Sequence, residues 1–226
     1  MQPRQPIIMS IDGNIGSGKS TTWMLLKKKL INDKRVVFVE EPVILWESVK
    51  DEHGTSVLAL FYKDTKKHAF KFQILAYLTR MQLLRKTIQD NPQCEIVISE
   101  RSVETDMNVF AQLLYDTKDI SHDEFEIYKM CCNEFKNYQK PLIVYIRADP
   151  EKCMERIISR AREGEVIPIE YLTLCHEYHE KWIQMIESSK KMIIDANESI
   201  QITGEEPVER VEMICQFIVS NLPSKA

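Results

Sequence analysis

The run Gly13-Asn14-Ile15-Gly16-Ser17-Gly18-Lys19-Ser20-Thr21 has the residue types and spacing to hold a chain of phosphates. An apolar run from Ile7 leads into it, and a helical pattern from Thr22 to Leu30 leaves it. Strand, glycine loop, helix is the context a phosphate-binding loop requires. Glycines let successive backbone N–H groups turn inward around phosphate oxygens with no Cβ in the way. A helix opening near Lys19 aims its free N–H groups and positive dipole end at the anion. Lys19 then reaches the β- and γ-phosphates of a triphosphate donor such as ATP, and the Ser20 hydroxyl ligates Mg²⁺.

Further charged groups fall where apolar runs end. Glu41 follows Val36–Glu40, and Pro42 holds it extended. Glu100-Arg101-Ser102 follows Glu95–Ser99. Phosphoryl transfer needs a donor cradle, a metal, a group to orient or deprotonate the nucleophile, and cations for the moving charge. Glu41 suits the base, Glu100 a second Mg²⁺ contact beside Ser20, and Arg101 the clamp. Arg156 and Arg160 share a helical face, and Arg162 stands beside Gly164, a pattern that suits a lid over the donor. His176 and His179 are three apart, with no second ligand cluster, so packing rather than zinc is expected of them. Cys131 and Cys132 are read as thiols, because a bridge between neighbours is strained.

Five strands must carry these groups: one from Ile7, then Val36–Glu40, Glu95–Ser99, Pro141–Ile146 and Met192–Asp195. Helical patterns fill the intervals: 57–90, 104–115, 123–138 capped by Ser121, one opened by the cap-and-N1 pair Asp149-Pro150, 168–188 and 208–222. Alternation of this kind predicts an α/β fold, a five-stranded parallel sheet flanked by helices. One domain over residues 1–226 is expected, with an Arg-rich lid. Ligands of such sheets gather at the carboxyl ends of the strands, where Lys19, Glu41, Glu100 and Arg101 fall.

Composition narrows the partners. Lys and Arg total 30 against 34 Asp and Glu in 226 residues, a net charge of −4. Neither a nucleic-acid polymer nor an anionic membrane is expected as the main partner. No apolar run has the length of a membrane span, and Met1–Pro6 lacks an apolar leader. Six cysteines with no C-x-x-C pair point to a reduced, cytoplasmic protein.

The ordered motifs Gly13–Ser20, Glu41-Pro42-Val43 with Trp46, Tyr62-Lys63-Asp64, Phe72-Gln73, Glu100-Arg101-Ser102 and Arg160-Ala161-Arg162 followed by Glu165 resemble one family. It is that of the deoxycytidine, deoxyguanosine and insect multisubstrate deoxynucleoside kinases, and the resemblance runs from Ile7 to the last helix. It implies that Glu41 takes the proton of the sugar 5′-hydroxyl and that Arg101 contacts the substrate's 5′ end and the moving phosphoryl. It implies that Tyr62 and Glu165 hold the 3′-hydroxyl. Glu163 is the alternative, since the stretch from Arg162 to Pro168 is shorter than in relatives. Gln73 pairs with the base edge, and Trp46, Phe72 and Phe110 wall the base pocket. Arg156, Arg160 and Arg162 match the lid, and the family is typically a homodimer. Helical spacing places Ala76 and Arg80 on the face of Gln73. Asp106 matches the position that pairs with that arginine in deoxycytidine and deoxyguanosine kinases. Met107 and Glu104 depart from the pattern, where relatives carry Arg and an aromatic.

The expected function is ATP-dependent 5′-phosphorylation of a deoxynucleoside, for nucleotide salvage, with deoxycytidine and purines favoured over thymidine. A nucleoside monophosphate kinase shares the loop but needs more cations for its acceptor's phosphate. A non-catalytic subunit of the same fold need not keep Lys19, Ser20, Glu41, Glu100 and Arg101 together.

Overall fold

The computed structural model describes residues 5–134, 141–161, 166–198 and 208–222. Its strands are β1 (Ile7–Gly13), β2 (Val36–Val39), β3 (Ile96–Glu100), β4 (Leu142–Arg147) and β5 (Lys191–Asp195). They form one sheet in the order β2-β3-β1-β4-β5 with every pair parallel. β3 is buried throughout, β1 and β4 nearly so, as strands covered on both faces must be, and their apolar runs are therefore almost unbroken. Alternate side chains still part company. Ile96 and Ile98 pack with Trp23 and Leu26 on one face, while Val97 packs with Ala76 and Tyr77 on the other.

The helices are α1 (Lys19–Lys29), α2 (Val43–Ser48), α3 (Val57–Lys63), α4 (Thr65–Asp90), α5 (Val103–Thr105), α6 (Gln112–Asp116), α7 (His122–Glu134), α8 (Pro150–Arg160), α9 (Ile169–Gln184) and α10 (Val208–Asn221). A π-helical turn, Asp106–Ala111, joins α5 to α6. Ile11 lies opposite Glu100 and Gly13 opposite Ile146, so the central strands end in a stepped rim, with β1 running past β3 and β4 past β1. That common rim is where the charged groups collect.

Several elements differ from the sequence expectation. The stretch 57–90 is two helices, because Asp64 leaves helical geometry and its carboxylate accepts from Lys67 N at 3.2 Å, capping α4. The stretch 104–115 is broken by the π turn, in which Gln112 N–H reaches back to Met107 O. α2 follows Pro42 directly and is too short for periodicity to reveal. Asp149 occupies the cap position of α8, yet its side chain makes no capping bond; Pro150 follows at the first helical position. α8 stops at Arg160 with Ala161 left-handed, φ 47°, ahead of Gly164. Arg162, Glu163, Gly164 and Glu165 lie outside the described residues, as does the expected extension of α7 to Tyr138.

The Ser121 cap is a reciprocal pair. Ser121 Oγ accepts from Glu124 N at 3.4 Å, and Ser121 N donates to the Glu124 carboxylate at 2.9 Å. Ser121→Ala should therefore lower stability by about 1 kcal/mol, read as a smaller urea midpoint at unchanged slope. An unchanged midpoint would mean that the exposed cap contributes nothing. Among the described residues no helix is long and apolar enough to cross a membrane, and all six cysteines are free thiols.

Candidate active site

The loop after β1 is shaped by close approach. A Cβ on Gly16, at φ +80°, would stand 2.5 Å from Cys153 O of α8, and Gly18 caps α1 at φ +96°. No side chain caps α1 and no acidic residue sits in its first turn, while Lys27, Lys28 and Lys29 occupy its last. Its amino end is thus open to an anion and its dipole is complemented at the far end. Asn14 is tied at both ends of its amide. Its Oδ1 accepts from Ile15 N at 2.8 Å, and Nδ2 donates to Leu172 O at 2.9 Å, bracing the loop on α9.

Beside the loop opens a cleft of about 750 Å³, its mouth included. Lys19, Ser20, Ile15, Glu41, Arg101, Trp46, Tyr62, Phe72, Gln73, Ala76, Arg80, Asp106 and Phe110 line it. Glu41 bonds Arg101 and Arg80, and Arg80 lies over the Trp46 ring, so the charged groups lead from Lys19 to the aromatic ones. Sequence reasoning missed Val43, Leu58, Phe61 and Tyr171, which line it too. Phe61 stacks on Phe72 with centroids 4.8 Å apart, and Phe72 meets Trp46 edge to face at 5.4 Å. Position beside Tyr62 was the only signal for Phe61; none marks Tyr171. The Trp46 indole donates to Thr79 Oγ1 at 2.9 Å, which fixes its plane. Gln73 is buried, and no described residue bonds its amide, so it can read a ligand's edge.

The charges in the cleft interlock. Glu41 Oε1 accepts from Arg101 Nε at 3.1 Å and from Arg80 at 3.3 Å. Burial alone would raise the Glu41 carboxyl, but Lys19, Arg101 and Arg80 outweigh it and bring it down to about 2. Burial, with Arg101 adding, lowers the Lys19 ammonium to about 8 against the pull of Glu41 and Glu100. Arg80 Nε donates to Asp106 at 2.8 Å and its Nη1 to Glu100 O at 3.0 Å, all of it buried. Burial pushes the Asp106 carboxyl up, and Arg80 pulls it back. The resemblance implied that these two pair, and the structure has them as a buried ion pair in the pocket wall.

Arg101 itself is unusual. Its φ is +65°, a left-handed conformation that costs a non-glycine residue roughly 1–2 kcal/mol. The turn lets its N–H continue the ladder to Ile11 O at 3.0 Å and swings Nη1 onto Gly13 O at 3.0 Å. The guanidinium lies over Phe110, 4.7 Å from the ring centre.

Ser20 Oγ is bonded to Glu100 Oε1, so a hydroxyl and a carboxylate oxygen meet beside Lys19. Hard oxygen donors of this kind, few in number, fit Mg²⁺ that keeps its waters and borrows phosphate oxygens. Arg160 reaches the cleft from the end of α8. Arg156 does not. Its guanidinium donates to Ser17 O at 3.0 Å and Ala196 O at 2.6 Å, bracing the loop against the end of β5. Thr21 is half-buried in the first turn of α1, outside the cleft lining. His179 is fully buried, stacked on Tyr145, with Nδ1 2.7 Å from Cys175 O. Burial lowers it to about 3, and it stays neutral.

Comparison with known proteins adds a family to this geometry. The model of the family described as deoxynucleoside kinase matches residues 9–218. The chain is 31% identical to human deoxycytidine kinase, over 90% of the chain and 89% of that protein. It is 34% identical to a probable deoxycytidine kinase of Fowlpox virus, over 77% of the chain and 71% of the relative. It is 30% identical to the mitochondrial deoxyguanosine kinase of Xenopus laevis, over 77% and 72%.

Proposed function

The chain belongs to the deoxynucleoside kinase family and is an enzyme of that class; from this premise we propose that it moves the γ-phosphoryl of ATP to the 5′-hydroxyl of a deoxynucleoside, preferring deoxycytidine and purine deoxynucleosides to thymidine. One observation carries the reading. Glu41 stands in the cleft between Lys19 and the buried Arg80–Asp106 pair, bonded to Arg80 and Arg101. A carboxylate there suits an uncharged hydroxyl acceptor and repels an acceptor that already carries a phosphate.

In this mechanism the loop amides and Lys19 hold the donor's phosphates, and Arg160 with Arg162 closes over them. Arg156 serves at one remove, by bracing the loop. Ser20 and Glu100 would hold Mg²⁺, which when bound neutralises charge on the phosphate oxygens. Tyr62 and Glu165 hold the sugar. Glu41 orients the 5′-hydroxyl. Lys19, Arg101 and Arg80 hold the Glu41 carboxyl down in the free enzyme. Donor phosphates that engage the same cations weaken that hold, and Glu41 takes the proton as the hydroxyl oxygen bonds phosphorus. Arg101 follows the phosphoryl as it crosses. We also propose a homodimer, supported by Leu78, Ile127 and Met130, exposed apolar residues on the packed helices α4 and α7.

Trp46, Phe72 and Phe110 take the faces of the base and Gln73 its edge. Asp106 accepts from an exocyclic amine, and Arg80 donates to a purine's N7 or O6. Thymine offers no such amine and brings a methyl group to the space of Arg80. The test is kcat/KM for the four deoxynucleosides with Mg-ATP, expected to be lowest for thymidine. Arg80→Met with Asp106→Ala should then raise thymidine relative to deoxycytidine by roughly 10²-fold. The pair is changed together because removing one partner leaves a buried charge, costing about 3–5 kcal/mol. Highest kcat/KM on thymidine in the unmodified enzyme would overturn the assignment.

A further inference from the structure

Asp12 is fully buried near the end of β1 and is absent from the cleft lining. No cation is bonded to it among the described residues; instead neutral donors converge on its carboxylate. Ser102 N donates to Oδ1 at 3.0 Å, Thr105 Oγ1 donates to the same oxygen, and Ser10 Oγ donates to Oδ2 at 2.5 Å. Ser102 Oγ lies 3.4 Å from Oδ1, bonds Thr105 Oγ1 at 2.8 Å and caps α5 by accepting from Thr105 N at 3.1 Å. The bonded residues bracket the site. Arg101, left-handed, immediately precedes Ser102, and Asp106 immediately follows Thr105. A buried carboxylate can be held without a counter-ion only where hydrogen bonds replace its hydration. Here those bonds fix both ends of one helical turn.

We propose that Asp12 is a positioning residue that sets Arg101 against the moving phosphoryl and Asp106 against the base from a single anchor. The proposal rests on the roles given above to Arg101 and Asp106. Left-handed geometry at Arg101 persists because Ser102 N–H has its acceptor only when the chain turns there. Once the anchor is lost, the turn can relax to an ordinary φ, and the guanidinium leaves Glu41 and Gly13 O.

The test compares Asp12→Ala, Asp12→Asn, Arg101→Ala and the double variant Asp12→Ala/Arg101→Ala, with kcat and KM measured for deoxycytidine and for ATP. A misplacement of about an ångström is worth roughly 10²-fold, so Asp12→Ala should lose about that in kcat with the KM for ATP nearly unchanged. Asp12→Asn keeps the Oδ1 acceptor and should recover most of the loss. In the Arg101→Ala background the Asp12→Ala change should cost little more in kcat, since the two act as a unit there. Its remaining effect, through Asp106, should fall on the KM for deoxycytidine. Losses that multiply independently, or a normal kcat in folded Asp12→Ala, would overturn the proposal while leaving the active-site reading intact. Normal kcat in Arg101→Ala would bring down both. If Asp12→Ala does not fold, Thr105→Val serves in its place. A fall in its kcat, restored by Thr105→Ser, supports the anchor, and an unchanged kcat refutes it.

Discussion

Glu41→Gln should lower kcat by about 10²–10⁴-fold with the fold intact. Glutamine keeps the oxygen that accepts from Arg80 and Arg101, so neither guanidinium is left without a partner. It cannot accept the proton of the 5′-hydroxyl, and it withdraws the negative charge that Lys19, Arg80 and Arg101 share. That second effect leaves its own trace. Glu41 is among the groups that hold the Lys19 ammonium up, so its neutralisation should move the alkaline limb of kcat/KM for ATP to lower pH. Stopped-flow turnover with deoxycytidine, and the pH profile of the surviving activity, test both. A near-normal kcat removes Glu41 from the chemistry.

Lys19→Ala should lower turnover by about 10³-fold, because a buried donor aimed at developing charge is lost. Deoxynucleoside affinity by calorimetry should change little, since the residues proposed to hold the base, Trp46, Phe72 and Gln73, make no bond to Lys19. Loss of nucleoside affinity in the folded variant would count against this division of the cleft. The unmodified enzyme offers a milder version of the same experiment. With its ammonium near 8, Lys19 is charged below that pH and loses its proton as pH rises through it. Accordingly kcat/KM for ATP should decline above about pH 8. Bound phosphates favour the charged form, so the limb seen in kcat should lie higher.

Sequence legibility followed the range of each interaction. Lys19, Ser20, Glu41, Glu100 and Arg101 could be placed because local signals fix them: a glycine pattern, a proline after Glu41, apolar runs that stop short. Parallel pairing then brings the ends of β2, β3 and β1 side by side with no further information. Phe61 and Tyr171 reach the cleft only through the packing of α3 on α4 and the seating of α9, which no spacing encodes. The π turn was invisible because a one-residue widening leaves apolar periodicity over 104–115 nearly unchanged. Asp12 read as one more strand residue; its meaning lies in Ser102 and Thr105, far along the chain. Arg156 fits a lid by its spacing, and what the spacing did not reveal is that its guanidinium bonds the Ser17 and Ala196 carbonyl groups.

The strand order also bears on how the chain is born. Among the described residues β1 pairs with β3 and β4 alone, and β2 with β3 alone. During synthesis the phosphate loop and the strand leading to Glu41 therefore leave the ribosome as two unpaired edges. They stay so through the whole of α4, until Ile96–Glu100 emerges to lie between them. Nascent chains shorter than this expose apolar strands with unsatisfied ladders, the species most prone to aggregate and most in need of a chaperone. The segment that completes the charged rim, Glu100-Arg101, is thus the same one that ends this exposure.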